Sequence, residues 1–200
     1  VSFQWIIDRA NAIEFDAREI TSITTSRSGY SRTVSRGGQP WDFTVTLPDG
    51  PRWIDYRSDY ANALASGRHT AETIQFNNPG HAWMFAYQGD MDLTGATATY
   101  TQGNSAITVQ GGTGSGYRFR AGDLIELGSY VYKVVSDVLS SSTQVTLHRP
   151  VIEASGSGVS IAVGADCEFS VKCVEFPRPV FFAINQVGWS GPFRFVENIT

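Results

Sequence analysis

Asp123, Glu126 and Asp137 lie close together in the sequence, and a pair of carboxylates is what glycoside hydrolysis requires. Their neighbours give a plainer reading. Asp123 opens a hairpin strand in Gly122-Asp123-Leu124, and Asp137 turns the chain after another strand. His69, His81 and His148 are far apart and share no ligand spacing. Triad catalysis needs a positioned nucleophile and base, and no Gly-x-Ser-x-Gly elbow occurs. His69 follows a helix stop, where a cation caps the helix end. The run Gly111-Gly112-Thr113-Gly114-Ser115-Gly116 lacks the Gly-Lys-Ser/Thr entry into a helix that a phosphate cradle needs, and reads as a loop, as does Ser155-Gly156-Ser157-Gly158. The two cysteines, Cys167 and Cys173, share one face of an alternating run. On a strand, six residues span roughly 20 Å, whereas a disulfide needs Cα atoms within about 7 Å. Two buried free thiols are expected. No catalytic, cofactor-binding or metal-ligating residue emerges, and neither enzymatic activity nor a cofactor is expected.

Recognition chemistry is better represented. Arg27, Tyr30, Arg32 and Arg36 lie in a stretch from Ser26 to Pro40 that contains no acid. Such a segment reads as a solvated loop, as a contact between subunits, or as a nucleic-acid contact through interleaved cations and rings. In an assembly, Asp42, Asp49, Asp55 and Asp59 of a neighbouring copy are nearby partners for the arginines. Tyr117, Tyr130 and Tyr132 form a candidate sugar-stacking surface. The tryptophans do not support that reading. Trp41 and Trp53 match the core period, and the block from about residue 93 to 164 has no Trp at all.

The elements that position these groups are mostly strands. Trp41, Phe43, Val45 and Leu47 alternate with Asp42, Thr44 and Thr46, giving one apolar face. Pro51 suits a first helical turn, Trp53, Tyr56, Tyr60 and Leu64 recur at helical spacing with Ile54 and Ala61 beside them, and Gly67 stops the helix. Further strands are expected at Thr73 to Phe76, Trp83 to Tyr87, Ala96 to Tyr100, Ala106 to Val109, Leu124 to Leu127, Tyr130 to Val135, Gln144 to Leu147 and Val159 to Val163. Gly128-Ser129 joins two of them as a tight hairpin. About six short strands between residues 93 and 164 must blunt their edges, which points to a small β-barrel. Cys167 to Val174 and Val180 to Ile184 then return to the first sheet. The expected fold is mainly β with one short helix (α+β). A discontinuous domain, 1–92 plus 165–200, carries an inserted barrel, 93–164.

Composition narrows the function classes. Charged residues are 17% of the chain, below the usual quarter, and the net charge of −4 argues against coating nucleic acid. The cations are nearly all Arg, only Lys133 and Lys172 being Lys, which favours fixed bidentate contacts. No apolar run is long enough to span a membrane, and no signal peptide is read.

The order of parts in Arg27-Ser28-Gly29, Arg36-Gly37-Gly38-Gln39, Trp41, an alternating strand and a short helix resembles the N-terminal region of minor tail proteins of long-tailed bacteriophages, in particular the distal tail protein family. A second set, Gly122-Asp123-Leu124, Gly128, Tyr132-Lys133-Val134, Asp137-Val138, Val145-Thr146-Leu147 and Pro150, resembles a small barrel module of phage tail proteins, described as OB-like in that family. The resemblance implies a non-enzymatic virion protein, assembled in the host cytoplasm. It implies a ring of copies, usually a hexamer, joining the tail tube to the baseplate or tip complex. The implied partners are further copies, the tail tube protein, a baseplate hub or tip protein, and tail fibre or collar proteins. Membrane and sequence-specific nucleic acid are not among them. The alternative is a carbohydrate- or receptor-binding tail module that uses the barrel.

Overall fold

The computed structural model describes residues 3–17, 21–35, 39–67 and 70–199. In chain order, helix α1 (Gln4–Asp8) precedes strands β1 (Ala12–Asp16), β2 (Thr21–Thr25), β3 (Ser31–Ser35) and β4 (Asp42–Thr46), then helix α2 (Arg57–Ser66) and strand β5 (Glu72–Gln75). The middle carries β6 (Thr97–Tyr100), β7 (Ala106–Gln110), β8 (Tyr117–Phe119), β9 (Leu124–Leu127), β10 (Tyr130–Lys133), β11 (Val138–Leu139), β12 (Gln144–Thr146), β13 (Gly156–Ser160) and β14 (Ala162–Val163). The last strands are β15 (Glu168–Glu175), β16 (Pro179–Ala183), β17 (Gln186–Trp189) and β18 (Phe193–Glu197). The fold is mainly β in the α+β class, with two α-helices among the described residues where one was expected. The unforeseen helix, α1, buries Trp5, Ile6 and Ile7. None of the described helices is long and apolar enough to cross a membrane.

The chain forms two compact units, residues 1–9 with 72–170 and residues 10–71 with 171–200. These limits differ from the boundaries at 92 and 165 drawn from the sequence.

In the second unit, a sheet runs β1-β4-β18-β15, the last strand entering it at Val171. The alternation read in β4 sets its core: Trp41, Phe43, Val45 and Leu47 are buried, as are Phe193 and Phe195 opposite on β18. Trp41 stacks on Phe43 with centroids 6.1 Å apart. The helical stripe is only partly buried. A separate 3-10 turn at Trp53–Asp55 puts Trp53 and Ile54 out of phase with α2 and leaves Ile54 exposed; the buried side of α2 itself runs through Tyr56, at its N-cap, and Ala63, which leaves Leu64 exposed. Tyr60 instead packs on Phe176 and Trp189. Gly67 ends α2 at φ 84°, a conformation few other residues adopt. Val180 to Ile184 does not join this sheet. It forms β16, which pairs with β17 as a separate two-stranded sheet.

In the first unit, α1 is tied to β5 through Gln4. Its side chain donates to Gln75 O at 2.8 Å and accepts the Gln75 N–H at 2.9 Å. The strand expected at Trp83 to Tyr87 is a 3-10 turn, Ala82–Met84. Asn78 O takes the His81 and Ala82 N–H groups, each at 2.8 Å, so those donors are spent locally rather than in a ladder. Phe76, Phe85 and Phe169 form one aromatic cluster. A second core, drawn from residues 87–163, centres on Ala98, Val109, Phe119, Ile125, Leu127 and Tyr132.

The strands around that second core do not close into the expected barrel. They stand in three sheets, β12-β7-β6-β13, β10-β9-β14 and β11-β8. β10 meets β12 only at an isolated bridge between Val134 and Leu147. The chain passes from the first sheet to the second at Ile161, between β13 and β14. Strands of two to five residues cannot sustain continuous ladders, and a register shift between Gly156 and Val159 interrupts one of them. The Gly128-Ser129 hairpin is present, pairing Leu127 with Tyr130.

Candidate interface site

The basic arm is a hairpin rather than a structureless loop. β2 and β3 pair from Thr21↔Ser35 to Thr25↔Ser31. Ser26 builds the turn: its N–H donates to Tyr30 O at 2.8 Å, its O accepts the Gly29 N–H at 3.0 Å, and its hydroxyl accepts the Tyr30 N–H at 3.2 Å. Gly29 sits at φ 83°. The turn holds Arg27 and Tyr30 in solvent, Tyr30 being 79% exposed, with Arg32 exposed on β3. Arg36, Gly37 and Gly38 lie outside the described residues. Three of the carboxylates expected to receive a neighbour's arginines are engaged at home. Asp42 accepts two nitrogens of Arg194, the shorter contact 2.6 Å. Asp49 accepts the Trp189 N–H at 3.3 Å, and Asp55 pairs with Arg52 at 3.1 Å.

The tyrosine surface is not formed. Tyr130 and Tyr132 are buried, and the Tyr132 hydroxyl accepts the Ile152 N–H at 2.9 Å. Both lie on core faces because β9 and β10 form the wall of the second core. Tyr117 is half-buried, and the Arg120 guanidinium covers its ring at 3.3 Å from the centroid.

The carboxylates close turns. Asp123 is buried and accepts the Gln88 and Arg120 N–H groups at 2.9 and 2.7 Å; burial raises its pKa. Asp137 accepts the Ala121 N–H at 2.9 Å and the Arg120 guanidinium at 3.1 Å, and these bonds lower its pKa. Glu126 accepts the Glu168 N–H at 2.7 Å, and burial raises its pKa. His148 accepts the Lys133 N–H on Nδ1 at 3.0 Å. Burial, then the positive charges of Arg149 and Lys133, pushes its pKa down to about 3. His81 precedes the 3-10 turn, and His69 lies outside the described residues. Both cysteines are free and buried, and burial raises the Cys167 thiol well above its ordinary pKa. Among the described residues, no group of three or more His, Cys, Asp or Glu is placed to hold a metal ion.

The surface that sequence reasoning missed is the β16–β17 hairpin. Every residue from Val180 to Gln186 is exposed, Ile184 by 99% and Phe181 and Phe182 by 57% each. Asn185, at φ 59°, forms its tip. Ile54, 68% exposed, is held beside that tip by its N–H donating to Asn185 Oδ1 at 3.3 Å. A signal was present: no charged residue occurs from Pro179 to Phe193. A scan against protein-family models and a search of curated proteins each find no match to this chain.

Proposed function

We propose that this chain is a structural subunit of a bacteriophage tail tip, forming a ring that joins the tail tube to the baseplate or tip complex. The observation that carries the reading is the β2–β3 hairpin, whose turn holds Arg27 and Tyr30 in solvent, with Arg32 exposed on β3. Ordering such a tip without burial offsets little of its entropy cost, so a partner surface is its natural complement. The resemblance in the same segment names that partner: the next copy in the ring, then the tail tube protein and the tip. The second core, owned by residues 87–163, supports reading 93–164 as an inserted module on a domain made of 1–92 and 165–200. A sugar-binding role has no support from the tyrosines, two of which are buried and the third covered by Arg120.

Replacing Arg27, Arg32 and Arg36 together by Ala tests the reading. The melting temperature should stay within about 2 °C, since Arg27 and Arg32 are exposed and exposed substitutions cost little. Incorporation into tails, measured in purified particles, should fall. Normal incorporation would reject the interface role, and a large loss of stability would show that the arm packs within its own unit.

A further inference from the structure

We infer that the arginine-bearing tip of the β2–β3 hairpin seats in the groove on the outer face of the β1-β4-β18 sheet of the next copy of this chain. The inference rests on the proposed ring reading and deepens it by naming the surface that receives the tip.

The receiving face follows from the strand register. Phe43, Val45, Phe193 and Phe195 alternate onto the buried side of β4 and β18. The residues between them turn to the other side, because neighbours along a strand point to opposite faces. There Glu14 and Arg194 stand on either side of Thr44, and Asp16 stands directly across from Asp42. These five residues, with Phe15 on the edge strand, line an open groove of about 520 Å³. That lies within the roughly 300–1,000 Å³ of clefts that hold ligands.

The groove carries three carboxylates against one guanidinium. Arg194 is committed to Asp42 at 2.6 Å and reaches Glu175 at 3.7 Å. Glu14 is exposed and has no charged partner among the described residues. Asp16 and Asp42 are like charges in direct opposition, whose repulsion a further cation reduces. Lys172 shares the face only on β15, beyond β18.

The same unit holds the complement. The stretch from Ser26 to Pro40 has Arg27, Arg32 and Arg36 and no acid. Every side chain from Thr24 to Arg32 is exposed, and β2 and β3 pair only with each other. A lone two-stranded hairpin is marginal in water and gains from cover. Arginine suits the groove because its planar fork meets a carboxylate through two bonds. Tyr30 adds an aromatic anchor of the kind that dominates interfaces. The chain from Asp16 to Ser26, up to about 35 Å when extended, is long enough to carry the tip onto a neighbour. Tip and groove are different surfaces. Each copy therefore gives its tip to one neighbour and receives the tip of another, the head-to-tail contact that a ring requires.

The test is sedimentation velocity of the full chain over a wide concentration range. The wild type should associate as concentration rises, and less so in about 1 M salt, which screens exposed charges. Glu14→Arg, and Arg27→Ala combined with Arg32→Ala, should each weaken association at least about tenfold. Near-ultraviolet circular dichroism should be unchanged in both variants, because the replaced side chains are exposed. Mixing the two variants separates this contact from one between identical surfaces. One variant keeps its tip and the other its groove, so the mixture should form a two-chain complex and nothing larger. Reversing both partners in one chain, Glu14→Arg with Arg27→Glu and Arg32→Glu, should restore association. A wild type that stays monomeric at every concentration overturns the inference, including one whose tip lies in its own groove. So does a Glu14→Arg chain that associates normally, or a mixture that stays monomeric or grows past two chains. Presence of the protein in purified tails is scored separately. Association through tip and groove without presence in tails leaves the contact standing and rejects the tail reading; presence in tails with a monomeric free chain does the reverse.

Discussion

Replacing His148 by Asn removes a titration while keeping an acceptor for the Lys133 N–H, since Asn Oδ1 lies close to the position of imidazole Nδ1. In the folded chain, burial and the charges of Arg149 and Lys133 hold His148 at a pKa of about 3. In the unfolded chain it returns to about 6.5. Above that value neither state binds the proton, and the imidazole is neutral in both. Below it, the unfolded chain takes up a proton that the folded chain refuses. Stability then falls by up to about 1.4 kcal/mol per pH unit, and continues to fall until the folded pKa is reached. From about pH 6.5 to about 5 the loss is about 2 kcal/mol, reduced to roughly 1–2 kcal/mol by water reaching the half-buried ring. Asp123 and Glu126, whose pKa values burial raises, act in the opposite sense. Their folded forms take up protons first, so their penalty is relieved as pH falls. They are present in both proteins and cancel in the difference. Urea denaturation followed by far-ultraviolet circular dichroism, from about pH 7.5 to about 5, should show the wild type losing this extra stability relative to His148→Asn. The His148 Cε1 proton resonance should not titrate over that range. Parallel stability profiles, or a resonance midpoint near 6.5, would show that His148 keeps its ordinary pKa in the folded chain.

Tyr132→Phe should cost about 1–3 kcal/mol in urea, because the Ile152 N–H loses its acceptor; an unchanged midpoint would show that the hydroxyl bond is absent. Thiol titration in denaturant should find Cys167 and Cys173 both reduced, with neither reacting rapidly in the folded protein, and a quantitative disulfide would contradict the extended β15. A fragment of residues 86–166 should fold alone around its own core, giving a dispersed amide spectrum; a collapsed spectrum would show that the core depends on residues outside it.

Where a strand meets one buried face, its sequence was legible. β4 shows this, because burying Trp41, Phe43, Val45 and Leu47 leaves a period of two. The Gly128 turn and the Gly67 helix stop were legible for a local reason, since both residues sit at positive φ. Patterns set by long-range partners were not. β8 and β11 are only three and two residues long, too short for any period to register. The stripe through α2 was legible only in part, because a 3-10 turn breaks it before the helix and, within the helix, Ala63 takes the buried position and leaves Leu64 in water. Tyr130 and Tyr132 were read as a surface because aromatic residues at a strand look the same whether they face a groove or a core. The arm's composition marked Arg27, Tyr30 and Arg32 as exposed, yet its hairpin geometry rests on Ser26 and Gly29, residues common to many turns. The β16–β17 ridge was missed because Val180 to Ile184, an apolar run, was assigned to a buried sheet. Its lack of charge distinguishes it only once the pairing with β17 is known.

The most direct test of the tail-tip reading is negative-stain imaging of the purified full chain mixed with tail tubes that lack their tip. Rings of this chain should be seated at one end of the tubes, and the combined Arg27, Arg32 and Arg36 substitution should abolish them. Bare tube ends beside well-folded free protein would contradict it.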